Sequence, residues 1–571
     1  MRKISKKHLL IILTLVILVS LLSWSPVLAA TSVKNFVVYF PNWGMYNAAH
    51  NNMSVDMIPW DKVTVINHAF FTVDSNYKLV STDDYADFQA SFPHSEGWDP
   101  GMIRGHFGEY KYYKAIYPNV KVLVSVGGWT RGENFHAMAS SYDNRKIFID
   151  SVISFLKEYP FIDGIDIDWE YPGINRAPDP NDQYDRGCPG GPEDKENFTL
   201  LLKEIREAYN ANGMSNKLLT VAVPGGYDKV DLTQPDIYSQ YVDWLNVMTY
   251  DMHGAWDSIT NHQSPIYLNP LDPSPTSPID IKNKYNTDFI MKYYRDRYNV
   301  PSNKLNVGSP FYSRGWKNVD VTTGINGLFA NANGAPIGNL DNPQSPGGQN
   351  SYSQMEILEK TSGYVKYRDE YSLVPWLYNV SEGTMYTYED TISAAARCDY
   401  VINNGFGGIV AWEISNDDPN GFPLTTTIAN KFGIGEGTAS QVAMPVFSPT
   451  GGTYTSAQNI TISCATSGAT IYYTTDGTDP TTNSLVYSGP INISTTTTIK
   501  ALAVAPGMTN SKIASATYTI SNSTIPEWAP NTYYKIGDLV TYNGITYKCI
   551  QAHTSLVGWE PPNVPALWQV Q

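Results

Sequence analysis

Short apolar, β-branched runs recur from residue 36 onward, at 36–40, 63–71, 122–126, 162–168, 218–223, 245–250, 305–311 and 408–414. Runs of this length bounded by turn residues read as buried strands. Between several of them the apolar period lengthens to that of a helix, as at 144–159, 193–212 and 288–298. Strands alternating with helices predict an α/β fold, a (β/α)8 barrel over 31–435. The gap before the last run is much the longest. Its segment from about 317 to 388 is strand-like and turn-rich, too long for a bare loop, and predicts an α+β subdomain inserted on the barrel rim.

After Phe432 the pattern changes. A short flexible linker at 433–440 leads into 442–520, which is rich in Thr, Ser and Ile. Alternating runs there, such as Ile471-Tyr472-Tyr473-Thr474, with turn pairs such as Asp476-Gly477, predict an all-β sandwich. A second linker at 521–526 precedes 527–571. That last piece carries Trp528, Tyr533, Tyr534, Tyr542, Tyr547, Trp559 and Trp568.

The first thirty residues read differently. Arg2, Lys3, Lys6 and Lys7 precede an apolar run over 9–22, and Val27-Leu28-Ala29-Ala30 offers small residues for cleavage. This is the pattern of a signal peptide at 1–30, and it predicts a secreted, extracellular protein with no membrane association once it is removed.

Composition narrows the partners. The net charge is −15, with 54 acidic and 39 basic residues, so a polyanion is repelled and nucleic acid is excluded as a partner. Aromatics make up 13% of the chain, with 40 Tyr and 14 Trp. That excess suits stacking on sugar rings, or equally structural filler. The 4 cysteines, Cys188, Cys398, Cys464 and Cys549, lack metal spacing and form no disulfide scaffold. Cys188 and Cys398 could pair, but burial as free thiols is the preferred reading.

The most informative run is Asp163-Gly164-Ile165-Asp166-Ile167-Asp168-Trp169-Glu170. Strand alternation sends Asp166, Asp168 and Glu170 to one face and Ile165 and Ile167 to the other. In a barrel the acids would then climb the interior towards the C-terminal face, where barrel enzymes place their chemistry. Three confined carboxylates repel one another, which raises at least one pKa and lets a proton be shared. Glu170, the outermost and longest, is the natural proton donor. An acidic, solvated strand end or a metal site is the weaker reading, since no further ligands arrive from neighbouring strands. Trp169 points outward into packing, and neither His68 nor His253 receives a catalytic role.

This run resembles the signature of family 18 glycoside hydrolases, the chitinases. Further motifs agree in order: Ser125-Val126-Gly127-Gly128, Met248-Thr249-Tyr250-Asp251, the seventh-strand run Pro310 to Trp316, and Gly407-Gly408-Ile409-Val410-Ala411-Trp412. The likeness covers about 35–434. It implies hydrolysis of β-1,4 links between N-acetylglucosamine units, without cofactor or metal, by a substrate-assisted route with retention. Glu170 would be general acid and base. Asp168 would orient the substrate acetamido group, and Asp166 would hold the proton that lets Asp168 turn. Tyr250 and Asp251 would grip the acetamido group from the other side. Trp412 would floor the pocket, with Met248, Tyr312 and Arg314 around it and Trp129 stacking on the leaving side. Tyr39 and Phe70 either complete the pocket or pack. The alternatives are an endo-β-N-acetylglucosaminidase acting on glycoprotein glycans, or a non-catalytic chitin-binding, lectin-like barrel.

The sandwich resembles the C-terminal domain of chitobiase-type enzymes and reads as a spacer, with surface contact open to Tyr472 or Tyr473. The tail resembles a family 5/12 carbohydrate-binding module. So small a domain needs most of its rings as core, which assigns Trp528, Tyr547 and Trp568 to packing. Trp559 is then the exposed ring, with His553, Thr554, Pro561 and Pro565 near it by resemblance. The expected partners are chitin and its oligosaccharides, bound by a monomer.

Overall fold

The computed structural model describes residues 34–571 apart from 97–100, 436–441, 467, 506–507, 509 and 522–524. The signal-peptide segment at 1–30 lies outside the described residues, as do most of the linker at 433–440 and the middle of the one at 521–526. The chain divides into two compact units, Met1–Thr438 and Ala439–Gln571.

The first unit is a closed parallel barrel. Its strands are β1 (Asn35–Pro41), β2 (Val65–Val73), β3 (Lys121–Gly127), β4 (Gly164–Asp168), β5 (Leu218–Pro224), β6 (Trp244–Met248), β7 (Leu305–Pro310) and β8 (Gly408–Trp412). Each pairs with its sequence neighbours, and β1 pairs with both β2 and β8, which closes the ring. Alternation sorts the side chains. Phe36, Val38, Phe40, Ile165 and Ile167 join the large core beneath the helices, whereas Val37, Tyr39, Val65, Leu123 and Val410 fill the interior.

The helices follow from their caps and stripes. In Tyr142–Glu158 the Ser141 side chain accepts from the Asn144 N–H, and Phe148, Ile149, Val152, Ile153 and Leu156 form the buried stripe. Thr391–Asn404 starts with a capping box between Asp390 and Ser393. The helix expected over 288–298 is an α-helix over Thr287–Lys292 that continues as a π-helix over Tyr293–Arg297. The wider turn carries Tyr294 inward, where its hydroxyl donates to the Pro224 carbonyl at the end of β5, 3.0 Å away. Period alone does not separate these two helix types.

The inserted segment is α+β, as expected. Arg314–Trp316, Tyr364–Arg368, Pro375–Asn379 and Thr384–Thr387 form an antiparallel sheet with the helix Tyr352–Glu359 in the chain between its first two strands. Trp316, Trp376, Tyr378 and Met385 belong to its own core cluster.

In the second unit, residues 446–520 form two sheets, of three and five strands, around Phe447, Ile460, Ile462, Ile471, Ile499 and Tyr518. Residues 533–570 form two small sheets around Trp528, Tyr534, Val540, Tyr547 and Trp568. Trp528, Tyr547 and Trp568 are therefore core, as their small domain requires. All four cysteines are free, and Cys188 and Cys398 are buried thiols.

Candidate active site

The barrel interior is polar beneath the mouth of β4. Asp166 is fully buried. Its Oδ2 accepts from the Tyr39 hydroxyl at 2.8 Å and the Ser125 hydroxyl at 2.9 Å. Its Oδ1 accepts from Asn246 Nδ2 at 3.2 Å and from the Thr220 hydroxyl. Burial raises the Asp166 pKa, and these four donors pull it back down. Asp168, one pleat higher, is treated differently. Its Oδ1 is buried without a hydrogen-bond partner. Burial first, then the charges of Glu170 and Asp166, hold its carboxyl well above the usual range. Both carboxyls are raised, so the stack is suited to hold a shared proton.

Glu170 follows the end of β4 and is partly exposed at the barrel mouth. Burial pushes its carboxyl up to about 7, with Asp251 adding to the rise while a hydrogen bond with Tyr171 and the charge of Arg176 oppose it. A carboxyl with that value carries its proton up to neutral pH and can still release it, as a general acid and base must.

The close approach of β3 to β4 depends on glycine. Gly127 has φ +115°, and a Cβ there would lie 2.2 Å from the Asp168 carbonyl oxygen. The Gly128 N–H donates to that same oxygen at 2.8 Å, and a Cβ on Gly128 would strike the Phe70 ring.

Just beyond β6, two strands round from β4, Asp251 has φ +54° and is clamped by Arg314, Nε to Oδ1 at 2.7 Å and Nη2 to Oδ2 at 2.8 Å. Arg314 also lies over Trp256 and Tyr312, 5.3 and 5.6 Å from their ring centroids. The Tyr250 and Tyr312 rings meet edge to face, 6.2 Å apart, and burial keeps both phenols well above their ordinary pKa and so neutral. Met248 is buried at the end of β6.

The aromatics form a row. Trp412 stacks on Phe70 at 5.6 Å and 20°, and Phe70 stacks on Trp43 at 6.1 Å and 26°. Tyr39 touches Trp412 at 5.3 Å, but its hydroxyl is spent on Asp166. Trp129 stands apart at the end of β3, half-exposed. Three peptide bonds beside site residues are cis: Ala69-Phe70, Glu170-Tyr171 and Trp412-Glu413.

The structure brings together Asp166, Asp168, Glu170, Tyr250, Asp251, Tyr312, Arg314, Met248, Phe70 and Trp412, and Tyr39 packs beside Trp412 with its hydroxyl on Asp166. It adds residues that sequence reasoning missed. Ser125 lay inside a quoted motif. Thr220 and Asn246 were signalled only by the inward parity of their strands, Trp43 sits in a short 3-10 turn at Asn42–Tyr46, and Arg176 and Trp256 sit in loops that give no periodic signal. Trp169 is buried and stacks on Phe135, as its parity required. His68 pairs with buried Asp87 at 2.9 Å and His253 with Asp257 at 2.9 Å, both structural.

In the tail, Trp559 is 38% exposed and lies 6.4 Å from the His553 ring. Thr554 and Pro565 are exposed as well, but Pro561 is buried, so its ring does not share that surface. Tyr533, 60% exposed, pairs across the strand with Thr554 and was not anticipated.

An eight-stranded parallel barrel with stacked acids at the mouth of β4 and an aromatic floor at the end of β8 defines a barrel glycoside hydrolase. Residues 35–417 match the model of glycosyl hydrolases family 18, and the chain belongs to that family. Residues 449–517 match the chitobiase/beta-hexosaminidase C-terminal domain, and residues 527–569 match carbohydrate-binding module family 5/12. Chitinase A1 of Niallia circulans is 28% identical over 95% of this chain and 94% of its own length. Among solved structures, chitinase ChiA74 from Bacillus thuringiensis superposes with a TM-score of 0.63 at 26% identity, covering 91% of this chain and 86% of that one. The Ostrinia furnacalis group IV chitinase superposes with a TM-score of 0.60 at 28% identity, covering 70% of this chain and all of its own.

Proposed function

We propose that the protein is a secreted chitinase that cleaves β-1,4 links between N-acetylglucosamine units with retention of configuration, using the substrate's own acetamido group as nucleophile. A retaining glycosidase ordinarily sets a carboxylate nucleophile opposite its acid. Here the carboxylate two strands round from β4, Asp251, is committed at both oxygens to Arg314. That observation carries the reading: the nucleophile comes from the sugar.

The acetamido oxygen attacks C1 while Glu170 passes its proton to the departing glycosidic oxygen. Asp168 turns to accept the acetamido N–H and supports the oxazolinium ion that forms. Asp166, fixed by four donors, takes the proton of the pair as Asp168 turns, so that Asp168 meets the oxazolinium ion as an anion. Water then attacks C1 on the face the leaving group vacated. Its proton goes to Glu170, the C1–acetamido bond breaks, and the product keeps the starting configuration. Tyr250 and the Asp251–Arg314 pair line the acetamido side, and Trp412, Phe70 and Trp43 floor the sugars bound before the cut. The relatives named chitinases and the family 5/12 module both favour chitin as substrate. The module's exposed Trp559, 6.4 Å from the His553 ring, together with the exposed Tyr533, Thr554 and Pro565, offers surface suited to a crystalline substrate.

The test is Glu170→Gln, with chitin oligomers followed by chromatography and by NMR of the nascent anomer. The variant is expected to lose hydrolysis while still binding oligomers, and the wild type to release the β-anomer first. Turnover retained in the variant, or an α-anomer from the wild type, overturns the mechanism. Release of glycans from glycoproteins without cleavage of chitin oligomers overturns the substrate.

A further inference from the structure

The loop leaving β4 carries a cation that no step above uses. Arg176 and Cys188 exchange backbone hydrogen bonds in both directions, at 2.8 and 2.9 Å, so the loop closes as a hairpin on a fully buried cysteine. The Arg176 side chain is 17% exposed. Its Nη1 donates to Asp185 Oδ2 at 2.5 Å, and its Nη2 donates to the Trp129 carbonyl oxygen at 2.5 Å. The Asp185 carboxylate also accepts the N–H groups of Asp179 and Gly187, at 3.0 and 2.8 Å. The Arg186 N–H donates to the Thr130 carbonyl at 3.1 Å, a second fastening between this hairpin and the turn after β3. Held in this way, the guanidinium carbon lies 4.0 Å from the centroid of the Trp129 ring. One face of the indole is covered by a planar cation, and the residue remains half-exposed.

The same turn ties the cation to the acid's strand: Arg176 Nη2 holds the Trp129 carbonyl while the Gly128 N–H beside it holds the Asp168 carbonyl, two residues before Glu170, and the Arg176 charge opposes the rise of the Glu170 carboxyl. Around Glu170 stand Asp168 from β4, Tyr171 next in the chain, Tyr250 and Asp251 from the end of β6, Cys188 from the hairpin, and Arg176. Both nearby guanidiniums are paired with a carboxylate, Arg314 with Asp251 and Arg176 with Asp185.

We infer that Arg176 is a positioning residue for the leaving-group side of the cleft: it presents the Trp129 indole as a fixed stacking face and sets a positive charge beside Glu170. The inference rests on the reading of Glu170 as the acid and of Trp129 as a platform for the departing sugars. Arginine does both at once because its plane stacks on the ring while its two terminal nitrogens are held by Asp185 and the Trp129 carbonyl. Lysine would keep the charge and lose the plane.

That difference supplies the test: pH profiles of kcat/KM, with KM for chitin oligomers of increasing length, in Arg176→Ala and Arg176→Lys. Removing the cation favours the neutral carboxyl, so in Arg176→Ala the alkaline limb moves to higher pH, by a few tenths of a unit to about one. In Arg176→Lys the limb stays near its wild-type position. KM for oligomers long enough to reach Trp129 rises about three- to tenfold in both variants, because the stacked plane is lost in both. A limb that does not move in Arg176→Ala, or that moves as far in Arg176→Lys, overturns the electrostatic part. An unchanged KM in both variants overturns the positioning part. If Glu170→Gln remains active, the earlier reading falls instead, because the limb then belongs to another group.

Discussion

At the scale of single residues the site is a study in how one strand gives three carboxyls three environments. Asp166 is saturated with donors, Asp168 is buried with an unpartnered oxygen, and Glu170 reaches the mouth. Desolvation acts on all three, and the difference lies in what opposes it. Because Glu170 is poised at about 7, kcat/KM should fall through an alkaline limb near that pH as the acid loses its proton. Asp251 contributes to that value by repulsion. In Asp251→Asn the repulsion is gone and Arg314 is left without its anion, and both changes favour ionised Glu170. The limb should therefore move to lower pH, which a profile on a soluble oligomer with a chromogenic leaving group reads directly. A limb displaced upward would show that Asp251 does not act on Glu170 through its charge.

At the scale of elements, strand parity made the acids legible and also limited the reading. Alternation along β4 was enough to place Asp166 and Asp168 inward and Trp169 outward, because that information lies within one strand. The donors to Asp166 come from β1, β3, β5 and β6, and their convergence depends on barrel register, which no single strand encodes. The Arg314–Asp251 clamp joins the first strand of the inserted sheet to the segment after β6, and Tyr39 stayed open between pocket and packing because a strand-end tyrosine can line a pocket or support a carboxylate with the same local pattern. What the paired glycines after Val126 do is likewise a matter between strands. Gly127 takes a left-handed conformation and brings β3 against the Asp168 carbonyl. Gly127→Ala adds a methyl that meets that oxygen in a backbone conformation unfavourable to alanine. The expected cost is about 3 kcal/mol or more, read as a Tm several degrees lower by calorimetry and as loss of activity even in the folded fraction. A wild-type Tm would mean that the two strands can part without consequence.

At the scale of the whole chain, the question is how an uncharged, solid substrate is reached by a protein of net charge −15. Electrostatic steering has nothing to act on, so encounter must rest on apolar and hydrogen-bonding surface. The aromatic excess now divides into three uses. Rings such as Trp169, Trp528 and Trp568 are core, Trp43, Phe70 and Trp412 form the cleft row, and Trp559 and Tyr533 are exposed on the tail module. A single exposed tryptophan face contributes a modest energy to a lone soluble oligomer, but on a crystal many equivalent positions are offered and the catalytic unit is kept nearby by its tether. The proposal therefore separates two activities. Trp559→Ala, or removal of 527–571, should weaken adsorption to insoluble chitin about tenfold or more in a depletion isotherm, and slow its degradation in step. Hydrolysis of soluble hexamer should keep its wild-type kcat and KM, because the barrel holds the acids and the cleft row without help from the module. Equal losses on both substrates would mean that the tail serves the barrel rather than the surface, and the division of labour proposed for the aromatics would fall with it.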